Sequence, residues 1–72
     1  MAKIHSASIL PAAAMEKLLK KAGADRVSED AKHKLREVLE EYAEVLGAKA
    51  VRLANHAGRK TVKASDVKEA TK

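Results

Sequence analysis

The residues best suited to chemistry form a short basic run near the carboxyl end of the chain. It comes directly after Gly58 and consists of Arg59, Lys60, Thr61 and Lys63. Lysine and arginine neutralise phosphates, and a threonine hydroxyl and backbone N–H groups can donate hydrogen bonds to phosphate oxygens. The run therefore predicts a site for a polyanion, although the same composition also fits a solvated polar loop.

The distribution of charge along the chain favours the polyanion site. The 72-residue chain carries 15 basic and 10 acidic residues, a net charge of +5. Residues 1–27 hold five basic against two acidic residues, and residues 58–72 hold the same numbers. Residues 28–57 hold five basic against six acidic residues, so the excess positive charge lies in the two flanks. A binding surface built from the flanks would attract a polyanion, whereas solubility alone does not need this segregation.

The residue types needed for other chemistries are missing or poorly placed. The chain has no cysteine, which excludes disulfides and thiolate metal sites. His33 lies four residues from both Glu29 and Glu37, a spacing that gives charge pairs on a helix far more often than a zinc site. No nucleophile–base arrangement, glycine-rich phosphate loop or acid–base carboxylate pair is visible. We expect no enzyme, no metal, no cofactor and no small-molecule substrate.

The composition also limits the partners. Tyr42 is the single aromatic residue, which argues against modules that stack single-stranded bases on exposed rings. No apolar run approaches the ~20 residues that cross a membrane, and residues 1–8 resemble no targeting sequence. A cytoplasmic protein is expected. A cationic membrane-surface helix is the weakest alternative, because the polar face of the middle segment is rich in acids.

The element that positions the basic residues is a long helix predicted over 29–57. Apolar residues recur there at steps of three and four, without a proline. Ser28 is a suitable N-cap residue and Gly58 a suitable C-terminal cap. At about 1.5 Å per residue, this helix would be roughly 43 Å long.

Shorter elements flank the long helix. Helices are predicted over 9–22 and 64–71, and the β-branched pair at 61–62 favours a brief extended segment. Residues 1–8 are predicted to form a flexible segment, and residues 9–72 a single all-α domain.

The two short helices cannot cover the apolar face of the long one. The simplest remedy is a second copy, with the two long helices crossing near their middles. We therefore predict an obligate homodimer whose monomer has little stability of its own. The residues expected in the shared core lie on one face of the long helix: Leu35, Val38, Leu39, Tyr42 and Leu46.

Both loops resemble those of archaeal histones. Residues 22–28 (AGADRVS) are similar to the first histone loop, and residues 53–66 (LANHAGRKTVKASD) to the second loop and its flanks. The resemblance extends from about Leu10 to Ala70. It implies a histone fold, helix–strand–helix–strand–helix, paired in a handshake homodimer. It also implies a nucleoid protein that bends or wraps and compacts double-stranded DNA without sequence specificity.

The resemblance assigns DNA contacts to both loops. In a handshake dimer the second loop of one chain lies beside the first loop of the other. This arrangement places Arg26, which is expected to enter the minor groove and sense its width, with the second loop's contacts. Those contacts are Lys60, Thr61 and Lys63.

Three further residues receive roles from the resemblance. Arg59 and Asp66 are expected to form an ion pair that ties the second loop to the last helix, with DNA contact a secondary role for Arg59. Lys17 is the best candidate on the first helix for a contact with the DNA backbone.

A candidate interface between dimers departs from the histone pattern. Leu53, His56 and Asp66 match it, and His56 is expected to pair with Asp66 of a neighbouring dimer. Glu69 stands where the family usually has an apolar residue. In a two-fold contact, an acidic residue would cost burial and add repulsion. The sequence thus favours the dimer over an end-to-end polymer, while a tetramer or larger assembly on DNA stays open.

A second function fits the same fold. Histone folds also pair with different chains, as interaction subunits of transcription-related complexes. Stable self-dimerisation would count against that alternative, and a need for a second chain in order to fold would favour it.

Overall fold

A computed structural model describes residues 8–72 as three helices. α1 spans Ala12–Lys21, α2 spans Glu29–His56 and α3 spans Ala64–Ala70. The predicted all-α order of short, long and short helices is confirmed. The first helix begins three residues later than predicted, because Pro11 is extended (φ −76°, ψ 139°) and acts as its N-cap.

The chain divides into two compact units, Met1–Glu40 and Glu41–Lys72, and α2 passes from one into the other. The division into a flexible segment (1–8) and a single domain (9–72) stays a prediction. Of that segment, residues 1–7 lie outside the described part of the chain, and Ser8 is exposed.

Local sequence signals explain the ends of the helices in the first unit. Gly23 has a φ of +120°, which favours glycine. The amide of Gly23 donates to the Lys20 carbonyl and that of Ala24 to the Leu19 carbonyl, both at 3.0 Å, the Schellman arrangement that ends α1. The Ser28 Oγ accepts a 3.1 Å hydrogen bond from the Ala31 amide, which confirms the predicted N-cap of α2.

The start of α1 is held by a residue that the sequence did not single out. The amides of Ile9 and Leu10 each donate a 2.6 Å hydrogen bond to Oε2 of Glu40, in the middle of α2. Met15, on α1, is the buried apolar side chain of this unit among the described residues. The first turn of α1 is therefore fixed to α2 by a carboxylate as well as by packing.

A lysine between two carboxylates joins α1 to the first turn of α2. The Nζ of Lys32 lies 2.8 Å from Oε2 of Glu29 and 3.4 Å from Oε1 of Glu16. The Lys32 side chain is only 15% exposed. The hydrogen bond with Glu29 is the largest cause that raises the pKa of Lys32. Lys32 is thus committed to contacts within its own unit.

The second unit packs α3 on α2 through small side chains. Ala50 and Ala54 of α2 and Ala70 of α3 are buried. The expectation that Val67 faces inward is wrong for the single chain, where Val67 is 42% exposed. Asp66 and Ala70, four residues apart, form the inward face of α3, and Val67 lies beside that face.

The apolar face in the middle of α2 is left uncovered. Val38 is 51% exposed and Tyr42 58%, and the neighbouring Val45 is 66% exposed. The other three predicted dimer-core residues are half-buried: Leu35, Leu39 and Leu46. A long apolar face exposed to this extent is typical of a surface that another chain covers.

The structure departs from the expected strand at 61–62. No strand is assigned anywhere in residues 8–72. A strand is defined by backbone hydrogen bonds to a partner strand. Val62 is 40% exposed, and the chain itself supplies no such partner.

Candidate nucleic-acid interface

The second loop, residues 57–63, begins at a well-defined helix end. Gly58 has a φ of +76°, and its amide donates to the Asn55 carbonyl at 2.9 Å. The Arg59 amide donates to the Ala54 carbonyl at 2.9 Å, which completes a second Schellman motif. These bonds turn the chain sharply out of α2 and fix the position at which the basic run starts.

Arg59 holds the second loop from within. Its Nη1 donates to Oδ2 of Asp66 at 2.8 Å and to the Thr61 carbonyl at 2.9 Å. Its Nη2 donates to Oδ1 of Asp66 at 2.9 Å. The Lys63 amide also donates to Oδ2 of Asp66, at 2.8 Å. This bidentate pair anchors the backbone at residues 61 and 63 to the first turn of α3, the position predicted for the ion pair.

The carboxylate of that pair is ionised over a wide pH range. Asp66 is only 5% exposed. Hydrogen bonds from the Arg59 guanidinium, and then from the Lys63 amide, lower the pKa of Asp66 to about 2. The same hydrogen bond raises the pKa of Arg59. The donors of Arg59 are therefore largely used inside the protein, which agrees with a role that is mainly structural.

The remaining polar side chains of the second loop are free. Lys60, Thr61 and Lys63 are exposed. Within residues 8–72, neither lysine makes an ion pair, and the Thr61 hydroxyl makes no hydrogen bond. A rigid backbone thus presents two uncommitted ammonium groups and one hydroxyl to solvent, which is a suitable set for phosphate oxygens.

The first loop presents a single arginine. Arg26 is exposed and has no ion-pair partner in the described part of the chain. It lies between the Gly23 turn that ends α1 and the Ser28 cap that begins α2, while Val27 is half-buried. The loop is therefore held at both ends, and the guanidinium is available to a ligand.

The lysines of α1 differ in their availability. Lys20 lies 3.5 Å from Oε2 of Glu16, one turn away. Lys17 and Lys21 are exposed and have no ion pair among residues 8–72. Lys17, the predicted contact on α1, is therefore free, and so is Lys21. Both belong with Arg26 to the first unit, whereas the second loop belongs to the second unit.

The candidate interface between dimers coincides with a surface cavity in the second unit. The cavity has a volume of ≈ 360 Å³ and is lined by Lys49, Arg52, Leu53, His56 and Glu69. Asp66 is not part of the lining, because its carboxylate points to Arg59. Sequence reasoning missed Lys49 and Arg52, although they share the three- and four-residue spacing of Leu53 and His56 on α2.

Two other kinds of site were searched for in the described residues. No group of three or more histidine, cysteine, aspartate or glutamate side chains there could hold a metal ion. No helix there is long and apolar enough to span a membrane.

The fold and the loops define a member of a known protein family. Residues 8–71 match the family described as histone-like transcription factor (CBF/NF-Y) and archaeal histone. The chain belongs to this family, which confirms the predicted histone fold. The family consists of histones and transcription factors, so the prediction of a non-enzymatic protein is also confirmed.

Two relatives of known class share most of their length with the chain. The archaeal histone HAN1 of Thermococcus zilligii is 60% identical over 63 residues, which cover 88% of this chain and 94% of that protein. Probable archaeal histone 3 of Methanocaldococcus jannaschii is 56% identical over 61 residues, which cover 85% of this chain and 91% of that protein. The predicted resemblance to archaeal histones is therefore confirmed.

Proposed function

We propose that the chain is a chromosomal histone that binds double-stranded DNA without sequence specificity, bends or wraps it, and compacts it in the nucleoid. The observation that carries the proposal is the division of the second loop into a committed and a free part. Arg59 is bound to Asp66 and the loop backbone, whereas Lys60 and Lys63 have no partner within residues 8–72. Free cations on a fixed backbone suit phosphates at a fixed spacing.

The working unit is a handshake homodimer. Its support is the exposed apolar surface of Val38, Tyr42 and Val45 on α2. In water this surface is costly, and a second α2 crossing it would remove the cost. The monomer is then expected to have little stability of its own.

The dimer brings the cations of both loops together. The second loop of one chain lies beside the first loop of the other, so that Lys60 and Lys63 work with Arg26 of the second chain. The same pairing gives the extended residues at 61–62 a backbone partner, which the single chain lacks. Arg26 enters the minor groove, Lys17 contacts the backbone from α1, and specificity for sequence stays low because no base edge is read.

The test is DNA binding by a variant that lacks two of the free cations. Arg26→Ala together with Lys60→Ala is expected to weaken binding to random-sequence duplex DNA at moderate salt by at least tenfold. Lys34→Ala is the matched control, because Lys34 is an exposed lysine that pairs with Glu37 on α2. Equal affinity of the double variant and the wild-type protein would contradict the proposal.

The alternative function is an interaction subunit of a transcription-related complex. The family description, which names histone-like transcription factors beside archaeal histones, favours it. In that case, a different chain would cover the exposed face of α2. The mass of the purified chain in solution separates the two proposals: a stable dimer supports the histone, and a chain that folds only with a second, different protein supports the interaction subunit.

A further inference from the structure

The surface cavity of the second unit is lined mainly by basic side chains. α2 contributes Lys49, Arg52 and His56, with Leu53 between them, and α3 contributes Glu69. The spacing of the α2 residues places them on one helix face. The cavity therefore has a cationic wall on α2 and a single carboxylate on α3.

None of the charged groups of this cavity is strongly paired within the chain. Lys49, Arg52 and His56 make no ion pair or side-chain hydrogen bond within residues 8–72. Glu69 lies 3.8 Å from Lys72, and both side chains are more than half exposed. Such an exposed pair contributes little and is easily exchanged. The structure thus leaves both the cations and the carboxylate available to a partner.

The other carboxylate expected at this interface is already occupied. Asp66 accepts hydrogen bonds from Nη1 and Nη2 of Arg59 and from the Lys63 amide, and it is only 5% exposed. It has little surface left for His56 of another dimer. Glu69 is the exposed carboxylate of α3, so it is the more accessible acidic partner for a basic cavity.

We propose that two dimers join through this cavity, with Glu69 of one copy placed against Lys49 and Arg52 of the other. The proposal rests on the homodimer of the proposed function. A two-fold contact forms this pairing twice, so the acidic residues meet cations rather than each other. His56 adds a ring N–H donor and Leu53 an apolar surface. Glu69 then specifies the contact, instead of preventing it as the sequence alone suggested.

The pairing predicts how charge reversal changes assembly in the absence of DNA. Glu69→Lys places like charges opposite each other and is expected to raise the dimer–dimer dissociation constant about tenfold or more. The control, Glu44→Lys, makes the same change of charge at an exposed position of α2 outside the cavity and should leave assembly unchanged. Sedimentation equilibrium over a range of protein concentrations measures both.

A compensating variant separates charge pairing from simple damage. Lys49→Glu and Arg52→Glu combined with Glu69→Lys exchange the signs across the contact, so the association of dimers should return. Circular dichroism checks that each variant keeps its helices. Restored association supports the pairing, and a compensated variant that stays dimeric while fully folded contradicts it.

The remaining outcomes are also decisive. A wild-type protein that stays dimeric at every concentration would overturn this inference but leave the proposed DNA-binding dimer intact. A monomeric wild-type protein would overturn both. If the wild-type protein stays dimeric and pyrophosphate raises its Tm, but not that of Lys49→Glu with Arg52→Glu, the occupant is a small anion and not a second dimer.

Discussion

At the scale of residues, the second loop separates structural from ligand-binding charge. Arg59 uses its planar guanidinium for Asp66 and the Thr61 carbonyl, a geometry that lysine cannot reproduce. Because that pair fixes the backbone, Lys60 and Lys63 need no internal partner and remain exposed. The ion pair therefore prepares the site without taking part in binding itself.

The depressed pKa of Asp66 predicts how stability changes with pH. A carboxyl group whose pKa is lower in the folded state stabilises that state at pH values above its unfolded pKa, near 3.9. For Asp66, with a folded pKa of about 2, this contribution is lost as the pH falls from about 4 to about 2. Thermal unfolding between pH 2 and pH 7 should show this loss, and Asp66→Asn should lower Tm at pH 7 more than at pH 2. An equal effect of the substitution at both pH values would contradict the assignment.

At the scale of elements, caps and glycines determine where the helices end. Ser28, Gly23 and Gly58 act through neighbours within five residues, so the sequence alone was enough to place these boundaries. The contact of Glu40 with the amides of Ile9 and Leu10 spans about 30 residues, and no local pattern announces it. Long-range contacts of this kind appear only when the chain is folded.

Removing the N-cap of α2 tests the local part of this description. Ser28→Ala leaves the Ala31 amide without its partner and is expected to cost about 1 kcal/mol of unfolding free energy. Ser65→Ala, in the first turn of α3, removes a hydroxyl that makes no hydrogen bond in residues 8–72 and should be nearly neutral. Urea unfolding of both variants gives the comparison. Equal losses would mean that the Ser28 hydroxyl does not cap the helix in solution.

The candidate site was predictable in its loops but not in its surroundings. The basic residues and their histone-like order were visible in the sequence because loop contacts depend on residue type and order. Lys49 and Arg52 were missed because their role depends on the approach of α3 to the end of α2, which forms the cavity. The expected strand at 61–62 was not found, since strand pairing needs a second backbone that a single chain does not supply.

At the scale of the whole molecule, the exposed face of α2 connects folding to assembly. If a second chain covers Val38 and Tyr42, folding and association are one equilibrium, and Tm should rise with protein concentration. Tyr42→Glu should lower Tm and the apparent mass together, because a charge in the shared core is costly. Calorimetry at several concentrations tests this expectation. A Tm independent of concentration would mean that the chain is stable as a monomer.

The central claim is that a dimer holds duplex DNA through phosphate contacts from its loop cations. The most direct test is the slope of the logarithm of the binding constant against the logarithm of the salt concentration. The account predicts a steep negative slope that is similar for unrelated sequences, because each neutralised phosphate contributes about −0.9. Lys60→Ala, which removes one lysine from each chain, should make the slope less negative by about 2. A shallow slope, or one that Lys60→Ala leaves unchanged, would contradict the account.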